Sequence, residues 1–300
     1  MELTDNLIHT IENITIGTII KRPSRHIKSP YVADILVNGE EKLAHCPSLG
    51  LCGMICEDSI VFISPSSAKS KTDYKVHAVQ INEFESQSSD NPSGKVIVGC
   101  DPILSNTIGK KMFDKTDFFD IHKDKHTHKS EYPYNNSRFD HFYETPSQNI
   151  FVEIKSVPTC DFFAQVDDSK ERKKIYKNRC FQSDNDISKI DYKRRAVFPD
   201  GYKKTKDASV SERANKHLTE LTEISNTTIH RACLCLFVMR SDCTSFQTAW
   251  QVDPLYNEIF NNALDSGVEI SIHKFEWIHN DQSNTLECKY LGTIPIIRHD

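Results

Sequence analysis

Ser137-Arg-Phe-Asp-His-Phe-Tyr-Glu-Thr-Pro-Ser-Gln-Asn-Ile-Phe-Val-Glu-Ile-Lys155 is the stretch on which the reading of this chain turns. Its second arm, Ile150 to Lys155, alternates with period two, as a strand does, so Glu153 and Lys155 share a face. Glu144 to Asn149 contains Pro146, Ser147 and Asn149, a loop composition, and the whole reads as a hairpin. A loop centred near Pro146 and Ser147 sets Asp140 opposite Glu153, with Cβ atoms about 5 Å apart. Two carboxylates that close repel, and one holds a proton unless a cation sits between them. With a lysine on the flank, the pair suits a divalent metal and phosphodiester chemistry. The expectation depends on register, because a slip of one residue turns every side chain to the other face.

The chain before the hairpin reads as β. Residues 1–13 are expected to form a frayed terminus. Candidate strands follow at Thr15–Ile20, Tyr31–Val37, Lys42–Cys46, Ser59–Ser64, Tyr74–Ile81 and Lys95–Gly99, with Asn38-Gly39 as a tight hairpin turn. That spacing predicts a small oligonucleotide-binding (OB-like) barrel over 14–105, whose open face suits single strands. Residues 106–129 read as a connector, with a helix start at Pro102–Gly109. Its His122, His126 and His128 are expected in a solvated loop.

Residues 130–300 read as a second, α/β domain. Ser209 and Glu212 have capping-box spacing ahead of a helix whose Ala214, Leu218 and Leu221 share a face. Ala232–Met239 is a continuous apolar run, the mark of a strand buried on both faces. Asp253-Pro254 opens another helix with Leu255, Ile259, Ala263 and Leu264 as its buried stripe and Gly267 as its end, and Val268–Ile272 is a strand. Strand, helix, strand order implies a mixed sheet with helices on its faces.

The formal net charge of −5 over 300 residues excludes a globally basic nucleic-acid binder. The charge is uneven, however: Lys170 to Lys206 holds thirteen Lys and Arg against five acids. This stretch lies in a charged insertion near 160–196 and its sequel. Basic charge beside an acidic pair suits a polyanion that meets a metal, and a solvated insertion is the plain alternative. Ten cysteines spread over this length, several in apolar runs, suit reduced thiols in a cytosolic or nuclear setting. His45, Cys46, Cys52 and Cys56 are too loosely spaced for a zinc site and read as buried or incidental. No apolar run reaches membrane-span length, and the amino terminus lacks the pattern of a secretory signal.

Taken in order, several pieces resemble the sugar fermentation stimulation protein A family: Gly17-Thr-Ile-Ile-Lys-Arg22, Ala33-Asp34, His45-Cys-Pro47, Ser137-Arg-Phe-Asp140, Val152-Glu-Ile-Lys-Ser-Val157, Phe198-Pro-Asp200, Ser211-Glu-Arg213 with Lys216-His-Leu218, and Gly267-Val-Glu269. The resemblance implies an OB-like barrel followed by a mixed-sheet domain similar to the PD-(D/E)xK nucleases, and an association with DNA. It places Asp140 and Glu153 as ligands of Mg²⁺, with Mn²⁺ as a substitute, and Lys155 beside the attacking water. Glu131 matches the family's acid just upstream, as a further helix-borne or loop-borne member. Arg138, Arg194, Arg195, Lys203, Lys204, Arg213 and Lys216 are the candidate nucleic-acid contacts. The chain departs from the pattern at Ser48-Leu49, at Pro158, and in insertions near 160–196 and 201–210.

Three functions compete: a DNA-binding protein that keeps a nuclease-like, Mg²⁺-binding site, an active metal-dependent DNA nuclease, and, from the family name alone, an enzyme acting on sugars.

Overall fold

The computed structural model describes residues 6–48, 54–82, 93–121, 126–160, 194–199, 208–227, 229–250 and 252–299. Five strands, β2 (Thr15–Lys21), β3 (Val32–Val37), β4 (Glu40–His45), β5 (Ile60–Pro65) and β6 (Tyr74–Asn82), close a barrel in the order β4-β3-β2-β5-β6. The ring is completed where β4 runs parallel to β6 at Ala44↔Tyr74 and His45↔Lys75. β7 (Lys95–Gly99) lengthens the sheet beyond β6. Asn38 and Gly39 both take positive φ, 52° and 81°, as a two-residue turn matched to strand twist requires. Alternating apolar residues, among them Ile19, Ile35, Val37, Val61, Ile63, Val76 and Val79, fill the barrel.

Immediately after β7 comes α1 (Pro102–Thr116). Asp101 caps it by accepting from the Ile103 N–H at 3.2 Å, and Pro102 stands at the first helical position, where its missing N–H costs nothing. Residues 106–116 of the expected connector are therefore helix, with Ile108, Gly109, Met112 and Phe113 buried. His128 belongs to β8 (Thr127–Tyr134), where its Nε2 lies 3.0 Å from Nδ1 of His141. The connector reading failed because the apolar residues that seat this helix are spread among lysines.

A seven-stranded mixed sheet dominates the second domain. Its members besides β8 are β1 (Leu7–Ile11), β9 (Ser137–Glu144), β10 (Asn149–Val157), β12 (His230–Val238), β14 (Glu269–Asn280) and β15 (Thr285–Thr293), in the order β1-β15-β14-β12-β10-β9-β8. β10, β12 and β14 are parallel and central. β11 (Arg195–Phe198), β13 (Ser245–Thr248) and β16 (Ile296–Ile297) form a small parallel sheet. β12 is buried on both faces: Leu234 and Leu236 enter one core, Cys233, Cys235 and Phe237 the other. α1 covers the second face, while α2 (Glu212–Ser225) and α3 (Pro254–Asp265) cover the first.

The amino terminus is not frayed throughout. Leu7–Ile11 pairs with β15 at the sheet edge, and Ile8 is buried in the α1-side core. A short strand beside polar neighbours carries too little local signal to reveal a partner almost three hundred residues away. Two helix details also differ from expectation. Ser211 rather than Ser209 caps α2, accepting from the Ala214 N–H, and Ser209 donates to Asp253 Oδ2 at 2.6 Å. On α3 Leu255 is exposed and Tyr256, Phe260 and Ala263 are the buried stripe, because the packed face is rotated by one residue. Cys46 is buried in the barrel, and desolvation pushes its thiol up to about 11, while Cys52 lies outside the described residues. No helix among the described residues is long and apolar enough to cross a membrane.

The two domains share packing. The Gly99 N–H donates to the Met239 carbonyl at 2.9 Å, the Trp277 indole lies against Gly99, and the Phe62 and His279 rings meet at 5.1 Å.

Candidate functional site

The β9–β10 hairpin has the pairing Asn149↔Glu144, Ile150↔Tyr143, Phe151↔Phe142 and Val152↔His141. The same register carries Glu153 to Asp140, but the ladder stops one pair short. The β8–β9 ladder also skips a pair, Glu131 with Asp140, between Ser130↔His141 and Tyr132↔Phe139. Both skips mark one dislocation of the pleat. On β9, Phe139 and Phe142 enter the same core although they are three residues apart. On β8, Lys129 lies over the ring of Tyr132, again three residues on. Residues three apart share a strand face only if the alternation breaks between them. Glu131 supplies the break on β8 with φ of 51°, a left-handed conformation that costs a non-glycine residue about 1–2 kcal/mol.

Asp140 thus leaves the regular pleat. Its Oδ2 accepts from the Ile154 N–H at 2.7 Å, and its Oδ1 accepts from the Asn106 amide on α1 at 2.7 Å. Glu153 points to the opposite helix layer, and its Oε1 meets both Lys155 Nζ and His217 Nδ1. The Glu153 side chain is 1% exposed, and its Oε2 is buried with no hydrogen-bond partner. Asp140 therefore sits at the sheet opening and does not share a face with Glu153: its helix partner is on α1 and that of Glu153 on α2, although the Glu153 charge still acts on it.

The electrostatics separate the two acids. Burial, then the Glu153 charge, pushes the Asp140 carboxyl up to about 6. Burial also pushes Glu153 up, but the His217 hydrogen bond and the Lys155 charge outweigh it and hold Glu153 below the usual carboxylate range. One ionised acid with an unsatisfied oxygen beside a second acid near its ionisation point is an arrangement that a hard, oxygen-seeking cation would satisfy. The residues present fit a divalent ion: Glu153 Oε2 has the unused lone pairs, and each Asp140 oxygen keeps one beyond its single hydrogen bond.

The remaining expected residues are placed unevenly. Glu131 is strand-borne, on β8 rather than on a helix or loop, and is exposed, with Oε1 at 3.4 Å from the same Asn106 amide. Arg138 is exposed two residues before Asp140, and Arg213 is exposed one turn before His217. Lys216 reaches the Asn136 carbonyl and stands 3.9 Å from Glu220. Arg195 is not beside the acids: it lies on β11, packed past the end of β10, and donates to the Gln247 amide oxygen at 2.6 Å. Arg194 adjoins it there, its carbonyl accepting from the Thr244 N–H. Lys203, Lys204 and nearly all of the charged insertion lie outside the described residues.

Two residues beside the acids, His217 and Asn106, stand outside the set that the sequence marks. His217 falls on the inward stripe of α2 with Ala214, Leu218 and Leu221, and a histidine on a buried stripe was the available signal. Asn106 carried none, since an asparagine one residue off the buried face of a helix is ordinary.

Barrel topology, the mixed sheet and the opened acid-bearing hairpin define the class: an OB-like barrel joined to a mixed-sheet, nuclease-like domain. The model of the sugar fermentation stimulation protein RE domain matches residues 103–166 and 188–281, and the chain belongs to that family. A sugar fermentation stimulation protein homolog of Rippkaea orientalis is 28% identical over 283 residues, covering 91% of this chain and 93% of the relative. One from Synechocystis is 27% identical, covering 94% of each. The solved structure of Pyrococcus furiosus SfsA in complex with Ca²⁺ shares the fold at a TM-score of 0.67 and 18% identity, over 97% of this chain and 99% of that one.

Proposed function

We propose that this protein binds DNA and holds a Mg²⁺ ion between Asp140 and Glu153. The observation that carries the reading is the buried, unpartnered Glu153 Oε2 together with an Asp140 carboxyl that burial and the Glu153 charge push up to about 6. A divalent ion bound there would neutralise phosphate charge and acidify a bound water. Ca²⁺ in the archaeal relative's structure supports a hard-cation centre in this fold. Arg138, Arg213 and Lys216 present positive charge around the hairpin and α2, where a phosphate backbone would approach.

A second reading, hydrolysis of phosphodiesters, is favoured by one observation. Lys155 lies on the strand face of Glu153 and reaches its carboxylate, the position from which an ammonium would steady developing charge. Mn²⁺ would substitute for Mg²⁺ in either reading.

The test incubates the wild type and Lys155→Ala with single- and double-stranded DNA, with Mg²⁺, with Mn²⁺ and without metal. Salt-sensitive DNA binding without cleavage is the expected result for the first reading. Metal-dependent cleavage lost in the variant would establish the second. Absence of salt-sensitive binding to either form of DNA would overturn both.

A further inference from the structure

We infer that Asn106 is a positioning residue that latches the Asp140 carboxylate into the opened hairpin and draws Glu131 to the same point. Its consequence for cation binding rests on the reading given above, whereas the latch itself does not. One amide serves both acids: Nδ2 donates to Asp140 Oδ1 at 2.7 Å and stands 3.4 Å from Glu131 Oε1. Both acids occupy the dislocated register position, where neither strand ladder holds them. Without a donor from α1, Asp140 keeps only the Ile154 N–H as a fixed partner.

The latch is itself anchored. The Asn106 carbonyl accepts from His141 Nε2 at 3.1 Å. A carbonyl only accepts, so His141 carries its proton on Nε2, and its Nδ1 accepts from His128 Nε2 at 3.0 Å. A neutral His141 is what burial enforces. The chain His128, His141, Asn106, Asp140 therefore runs from β8 through β9 to α1 and back to the acid.

Chemistry selects an amide here. A lysine would neutralise the acids and fill their place for a cation, and a carboxylate would add repulsion. An asparagine satisfies one lone pair on each acid, adds no charge, and leaves the remaining lone pairs for an ion.

The test uses the full chain with Asn106→Ala and Asn106→Ser. Alanine is a strong helix former, so α1 is retained. The first readout is amide hydrogen exchange at Ile154 in cation-free protein, with Leu236 as the core reference. Exchange at Ile154 is expected to be about tenfold faster in both variants, with Leu236 unchanged, because a released Asp140 no longer holds that N–H. The second is Ca²⁺ affinity by calorimetry, expected to fall about 10–100-fold, the usual effect of removing a residue that orients a ligand. Unchanged exchange at Ile154, or equal acceleration at Leu236, would overturn the latch. Accelerated exchange at Ile154 in a protein whose wild type binds no Ca²⁺ would uphold the latch and refute the cation centre.

Discussion

His217 Nδ1 on α2 meets Glu153 Oε1 on β10, both side chains at most 5% exposed. The contact joins a helix to the central sheet through a charge, and Lys155 holds the same oxygen. Removing one partner of a buried carboxylate costs about 1–3 kcal/mol. His217→Ala is expected to lower unfolding stability in urea by that amount, with part of the loss recovered in His217→Gln. A change under about 0.5 kcal/mol in His217→Ala would mean that Lys155 alone satisfies Glu153.

Gly99 ends β7 where the barrel touches the sheet, and an added Cβ would stand 2.4 Å from Trp277 Nε1 and 2.7 Å from Cε2. An indole ring that is buried cannot swing away cheaply. Gly99→Ala should cost about 1–3 kcal/mol through overpacking, with a shift in Trp277 emission. Thermal unfolding followed by fluorescence checks both, and an unchanged midpoint would show that the barrel moves freely against β14.

His273 is fully buried, with Nε2 at 2.8 Å from Ser271 Oγ and Nδ1 at 3.1 Å from Tyr290 Oη. Desolvation lowers its pKa to about 3. The unfolded chain, with an ordinary imidazole near 6.5, binds the extra proton between those values, so stability rises with pH across that window. His273 should contribute on the order of 2–5 kcal/mol above pH 6.5 that disappears as pH falls toward 3. His273→Gln, neutral at every pH, should flatten that part of the stability profile. Equal slopes in variant and wild type would contradict a neutral buried imidazole.

β1 closes the edge of the large sheet. Ile8 is buried, the Asn6 carbonyl accepts from Tyr290 N–H at 2.8 Å, and Lys115 Nζ donates to the Leu7 carbonyl at 2.9 Å. Ile8→Ala should cost about 2–5 kcal/mol in chemical unfolding, and deletion of residues 1–12 at least as much. A truncated chain as stable as the full one would restore the frayed terminus that local sequence suggests.

The barrel and the central strands were legible because their signals are local. Period-two alternation, Asn38-Gly39 and the apolar run around Leu234 depend on neighbours a few residues away. Asp253-Pro254 was legible for the same reason, whereas the exact buried stripe of α3 was not, since a helix can rotate by a residue to suit its partner.

The sequence by itself determined the pairing of β9 with β10, and so which acids come near each other, because hairpin register follows from loop length and alternation. Only the tertiary structure decided what those acids are. The pleat breaks at Glu131 and Asp140, α1 delivers Asn106 to one acid, and α2 delivers His217 to the other. The physical reason is range. Hydrogen bonds from residues 34 and 64 positions away, and burial by helices on opposite faces, join the hairpin's own charges in setting the proton affinities of Asp140 and Glu153, and the hairpin alone does not encode those distant partners.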